Sequence, residues 1–136
     1  MAMTPLVAFA DFGAESSPKE SGNVVIIIQS ADPEVIFGGL LYASCAIKNK
    51  WMDNVKVVFW GPSEKTLAEL APDSEQIKLL KEIIAMGGKD GKPWACGAFS
   101  DRYGVTKKMV DLGFEVFHPG KATSYLIKLG YRVWNW

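Results

Sequence analysis

Cysteine is scarce in this sequence, with two residues among 136, and there is a single histidine. Two cysteines cannot build the disulfide framework of a small secreted domain or a four-cysteine metal site. Cys45 and Cys96 therefore read as reduced thiols of a cytoplasmic protein. An excess of either charge is missing too, since 15 Lys plus Arg face 15 Asp plus Glu. A formal net charge of zero provides no long-range field for nucleic acid or an anionic membrane, so neither partner is expected. Long apolar runs are also absent. The stretch from Pro5 to Ala10 is cut short by Asp11, and Val24 to Ile28 is only strand length. Neither a signal peptide nor a membrane span is expected.

Several motifs are lacking as well. There is no dinucleotide glycine fingerprint and no P-loop, which ranks a nucleotide- or flavin-binding reading last. No Gly-x-Ser-x-Gly elbow is present, and the lone histidine has no evident serine partner, so a serine hydrolase is set aside. Neither a metal nor a cofactor is expected.

What is present is apolar and aromatic: 49% hydrophobic residues and 12% aromatic ones, five of them Trp. That composition belongs to a packed globule, and one domain of this length can bury about 65 to 70% of its unfolded surface. A neutral, Trp-rich surface also favours self-association, so a homo-oligomer is expected. Residues 1–22 carry Gly13, Ser16, Ser17, Pro18, Ser21 and Gly22 among charges and read as a flexible N-terminal extension. The domain proper spans residues 23–136.

Val24 to Ile28 is a continuous β-branched run of the kind found in a strand covered on both faces. Asp32-Pro33 opens a helix reaching about Lys50, with Val35, Ile36, Leu40, Ala43 and Ile47 as its apolar stripe. Val55 to Trp60 is a second strand, stopped by Gly61-Pro62, and Ser63 is expected to cap the helix after it. Helices are expected over Ser63–Leu70 and Ser74–Met86, broken at Pro72, with Gly87-Gly88 ending the second. A short third strand falls at Pro93–Cys96, and a helix capped by Ser100 or Asp101 runs to about Leu112. Phe114–Phe117, Lys121–Leu129 and Tyr131–Trp134 complete the pattern as strand, helix and strand. Alternating strands and helices with right-handed crossovers predict an α/β fold: three α/β/α layers with a mostly parallel, five-stranded sheet.

In such a sheet, ligands bind beyond the carboxyl ends of the strands. The residues there are Gln29–Asp32, Trp60–Ser63, Cys96–Asp101 and His118–Lys121, and Cys96 is the strong nucleophile among them. Its thiolate would be favoured by the following helix terminus and by Arg102, and opposed by Asp101 if that side chain pointed the same way. The competing reading of Cys96 is a small buried hydrophobe. Cys45, inside a helix, reads as packing. His118 either orients a substrate or caps the strand before Pro119. Arg102 holds an anionic ligand or is a solvated charge. Gly104 reads as a close-packing position within its helix, and Gly38-Gly39 as close helix packing, within the chain or between subunits. The tryptophans read as core and interface.

The segment Cys96-Gly-Ala-Phe-Ser-Asp-Arg102-Tyr-Gly104-Val105 is similar to the stretch after the third strand of DsrE-like proteins. There a cysteine is followed eight residues later by glycine and then an aliphatic residue, often with an arginine just before. The resemblance covers about residues 23–134 through the order of elements, while Trp134-Asn135-Trp136 and the N-terminal extension are not parts of the pattern. It implies a sulfur-relay protein in which Cys96 accepts sulfane sulfur as a persulfide from a donor protein and passes it to an acceptor. It also implies a homo-oligomer, a trimer or hexamer. The alternative is a non-catalytic oligomeric module that holds a small ligand or serves regulation.

Overall fold

The computed structural model describes residues 22–87 and 91–136. The expected N-terminal extension, residues 1–22, lies outside them but for Gly22, and so does the proposed stop at Gly88. Five strands form one sheet: β1 (Asn23–Ile28), β2 (Asn54–Phe59), β3 (Trp94–Cys96), β4 (Glu115–Phe117) and β5 (Arg132–Asn135). The helices among the described residues are α1 (Pro33–Lys48), α2 (Pro62–Glu69), α3 (Glu75–Gly87), α4 (Gly97–Tyr103), α5 (Thr106–Asp111) and α6 (Gly120–Lys128). The strand order is β4-β3-β2-β1-β5 and every pairing is parallel.

Register explains the two layers of helices. Ile26 pairs with Val57 and Ile28 with Phe59, while Ala95 lies opposite Phe59. These side chains share one face, because partners in register point the same way and successive residues alternate. They join Ile36 and Leu40 of α1, Leu67 of α2, Leu80 of α3 and Met109 of α5 in one buried cluster. Four consecutive strands stepping in one direction through right-handed crossovers place all the intervening helices on that face. The β4 to β5 connection runs back the other way, so α6 covers the opposite face, where Val25, Val58 and Cys96 are buried.

Local chemistry sets the element ends. Asp32 caps α1 as expected, its Oδ1 accepting the Glu34 N–H at 2.9 Å with Pro33 in the first turn. Gly61, not Ser63, is the cap residue of α2; its φ of 103° belongs to the region that glycine favours. The expected helix from Ser100 to Leu112 is two helices. Gly104 is not a packing position inside one of them: it sits at φ 67° and closes α4, its N–H reaching the Asp101 carbonyl at 3.1 Å. Nothing lies within 4 Å of a Cβ built there, so the glycine serves backbone conformation.

Gly38 and Gly39 do mark close packing, and the partner is this same chain. A Cβ on Gly39 would lie 2.8 Å from Ile28 Cδ1 and 3.3 Å from Trp136 Cγ, and one on Gly38 would lie 3.0 Å from Trp136 Cζ3. Trp136 thus lies against α1, while its backbone extends β5 by donating to Ile27 O at 2.8 Å and accepting from Gln29 N–H at 2.9 Å.

Candidate functional site

The carboxyl ends of β1, β2 and β3 are tied together by hydroxyl groups and one buried carboxyl. Ser63 is free of its expected capping role and donates its hydroxyl to Ile28 O at 2.6 Å, while its N–H reaches Gln29 O at 3.2 Å. Thr66 donates to Ala31 O at 2.8 Å. These bonds fix the start of α2 against the turn between β1 and α1, so the loops at this edge are held by the strand ends they leave.

Cys96 is the last residue of β3 and the cap residue of α4. It is 4% exposed. Its Cα partner is Phe117, so the side chain shares the α6-covered face with Phe117 and Trp94, whose rings meet edge to face at 5.4 Å. On that face the residue is almost wholly buried, so little of the thiol faces solvent.

Behind Cys96 lies Glu64, in the first turn of α2 and 0% exposed. Its Oε1 accepts a very short hydrogen bond from the Ser100 hydroxyl of α4, and its Oε2 accepts from the Gly61 N–H at 3.4 Å. The Cys96 backbone N–H also favours the ionised carboxylate. Burial outweighs these donors and pushes the carboxyl up from 4.5 to about 7, because the charged form loses its water while the neutral form loses little. Glu64 therefore changes charge in the physiological range, beside the backbone of the one thiol at this edge. Sequence reasoning missed it. An acidic residue in the first turn of a helix reads as ordinary dipole compensation, and Ser100, 36 positions away, reads as a helix cap.

The other residues singled out from sequence are spread over separate elements. His118 is exposed and directly follows Phe117, so it shares the edge with Cys96. Arg102 is exposed and falls in the last turn of α4 rather than the first, because that helix begins at Gly97. Asp101 turns toward α5, its Oδ1 accepting from the Thr106 hydroxyl at 2.6 Å. Cys45 is half-buried within α1. Among the described residues no group of three His, Cys, Asp or Glu side chains could hold a metal ion. No helix there is long and apolar enough to cross a membrane. An open hollow of about 730 Å³ lies at the opposite end of the sheet, against the first residues of β2, β3 and β4, and Cys96 does not line it.

These features define a three-layer, all-parallel α/β protein with a cysteine and a buried carboxyl at the carboxyl edge of its sheet. No family model matches the chain, and no curated protein matches it. A solved structure of a conserved protein of unknown function from Bacteroides thetaiotaomicron is similar to it. The likeness covers 84% of this chain and 95% of that one, at a TM-score of 0.71 and 20% identity. At that identity it extends to the fold alone.

Proposed function

We propose that this protein is a cytoplasmic sulfur carrier of the DsrE-like kind, in which Cys96 holds sulfane sulfur as a persulfide between a donor and an acceptor protein. The observation that supports this reading is the position of Cys96, a thiol ending an inner strand at the edge where open parallel sheets bind ligands, with a buried carboxyl behind it. In the loading step the Cys96 thiol gives its proton to solvent, and the thiolate attacks the outer sulfur of the donor persulfide. The new bond joins Cys96 Sγ to that sulfur. The donor's S–S bond breaks, and the donor leaves as a thiolate that takes up a proton. Unloading is the same exchange with an acceptor thiolate. His118, exposed after β4, and Arg102, exposed in the last turn of α4, are the groups assigned here to meet an incoming anionic thiol.

Self-association belongs to the same proposal. Tyr125 on α6 and Leu129, the cap residue at its end, lie one turn apart at 61% and 55% exposure, and Val133 on the edge strand is exposed beside the same face. A surface of this kind favours contact with further copies of the chain.

The burial of Cys96 favours a second reading, an oligomeric ligand-binding or regulatory module in which the cysteine only packs. Intact-protein mass spectrometry after incubation with a persulfide donor separates the two. A reducible gain of about 32 Da, one sulfur atom, that survives Cys45→Ser and disappears in Cys96→Ser supports the carrier. No gain with any donor points to the binding module.

A further inference from the structure

We infer that the outer edge of β5 is a docking surface for a second copy of this chain, the two β5 strands pairing antiparallel about a twofold axis at Trp134 and joining two sheets into one. The contact rests on the self-association proposed above and deepens it, at a place separate from the exposed side of α6.

Backbone bonds show which groups are open. Trp136 donates to Ile27 O at 2.8 Å and accepts from the Gln29 N–H at 2.9 Å, so both of its backbone groups turn toward β1. Bonding alternates along a strand, so Trp134 and Arg132 turn toward β1 as well, whereas Val133 and Asn135 direct N–H and C=O outward. β5 ends the sheet, and no group among the described residues bonds Val133 or Asn135 on that side. The N–H of Tyr131, two residues before Val133, is already taken by Leu126 O at 3.0 Å. A second β5 running the other way therefore satisfies the open groups when Val133 lies opposite Asn135 of the second copy. That pair exchanges two hydrogen bonds, and the twofold axis repeats it. Trp134 then lies directly opposite its own copy, and the edge is complementary to itself, as a twofold contact requires.

The side chains suit the same contact. β5 is exposed along its length, with Val133 at 41% and Trp134 at 44%. The Trp134 ring meets Tyr42 at 4.6 Å and Trp136 at 5.0 Å, and Tyr42 lies 6.0 Å from Trp51, itself 58% exposed. An aromatic cluster thus stands beside the open edge. Aromatic side chains carry about 150 to 250 Å² each, so the uncovered parts of these rings together with Val133 amount to on the order of 400 Å². Each half of a standard interface buries about 800 Å², a little over half of it apolar, which is close to the area these residues present. The other edge of the sheet is blunted, since β4 is three residues long and starts at Glu115. On β5 the charged residue is Arg132, and in this register it meets Trp136 of the second copy rather than another arginine.

Sedimentation analysis of wild type, Val133→Pro and Trp134→Glu tests the contact, each protein checked for its native circular dichroism spectrum. Proline at position 133 removes an outward N–H and leaves the bonds to β1 in place. Glutamate at position 134 sets like charges directly opposite each other, and this variant answers the question if Val133→Pro fails to fold. Wild type should be an even-numbered assembly whose mass falls twofold in either variant, a hexamer becoming a trimer. Oxidative cross-linking in a Cys45→Ser background reads the register. Trp134→Cys puts two thiols on residues about 4.5 Å apart at Cα, within disulfide range, and should give a covalent dimer linked at position 134. Val133→Cys, which faces Asn135 rather than itself, should not. An odd-numbered wild-type assembly, an unchanged mass in the folded variants, or absence of the cross-link at position 134 overturns the inference. An odd-numbered assembly that Leu129→Glu disperses would leave self-association through α6 standing. Because cross-linking needs no sulfur donor, persulfide loading without it would keep the carrier and remove the β5 contact, and cross-linking without loading would do the reverse.

Discussion

At the scale of single residues, the buried carboxyl decides how the protein responds to pH. Glu64 titrates near its ordinary 4.5 in the unfolded chain and at about 7 in the folded one. The folded state therefore holds the proton more tightly between those values, and stability falls as pH rises through that window. Below about 4.5 both states are protonated, and above about 7 both are ionised, so the loss is confined between them. A shift of this size is worth about 3 kcal/mol. Glu64→Gln cannot ionise, so its stability relative to wild type should improve steadily from about pH 5 to pH 7 and then level off. Urea denaturation midpoints of the two proteins across that range provide the check, and a constant difference would refute the assignment.

The same residue shows where reading the sequence stops. Cys96 was legible, because its place at a strand end and the motif after it are both local. Glu64 and Ser100 were not, because the chemistry of each depends on the other, and 36 positions of chain separate them. Ser63 and Ser100 were both expected to cap helices, and both instead direct their hydroxyls at distant oxygens, Ile28 O and Glu64 Oε1. A serine before a helix offers no local sign of which role it will take.

At the scale of elements, the strands were the most legible part, since a β-branched run such as Val24 to Ile28 has one good use in an α/β chain. The helix from Ser100 to Leu112 was misjudged because the apolar spacing carries on smoothly across Gly104 while the backbone does not. A lone glycine in a helical pattern is compatible with continuation or with a left-handed stop, and only the bonds from Gly104 N–H and Val105 N–H back to Asp101 O and Ser100 O decide for the stop. The packing of α1 yields its own expectation. Gly39→Ala gains helix propensity worth about 1 kcal/mol but forces a methyl into Ile28 and Trp136, an overpacking cost of about 1 to 3 kcal/mol. Gly38→Ala meets only the edge of the Trp136 ring. Thermal unfolding should find Gly39→Ala less stable than wild type and Gly38→Ala close to it. Equal behaviour of the two would mean that Trp136 does not lie where it is placed here.

At the scale of the whole molecule, the sheet is unevenly dressed. One face is covered by helices from every crossover between β1 and β4, whereas the other depends on α6, nine residues long. Alternation of strand and helix made both layers legible in the sequence. Their inequality was not, because it follows from strand order, which depends on long-range pairing. The thinly covered face is also the one that carries Cys96, and with Tyr125 exposed on α6 and Leu129 exposed at its end it is where further copies of the chain should dock. Analytical ultracentrifugation of wild type should show a trimer or larger assembly that shifts toward monomer in Leu129→Glu. A wild-type monomer at micromolar concentration would refute the proposed self-association.

The pairing of β5 with β1 has a further consequence, for the order in which the fold can be completed. β1 to β4 each lie beside their neighbour in the chain, so those pairings close over modest loops as synthesis proceeds. β5, by contrast, pairs Arg132 with Val24, partners more than a hundred residues apart. Until the last strand arrives, one side of β1 has no partner and α1 lacks the Trp136 ring against Gly38 and Gly39. A growing chain thus carries an open, β-branched strand edge from the time β1 is made until β5 emerges, more than a hundred residues later.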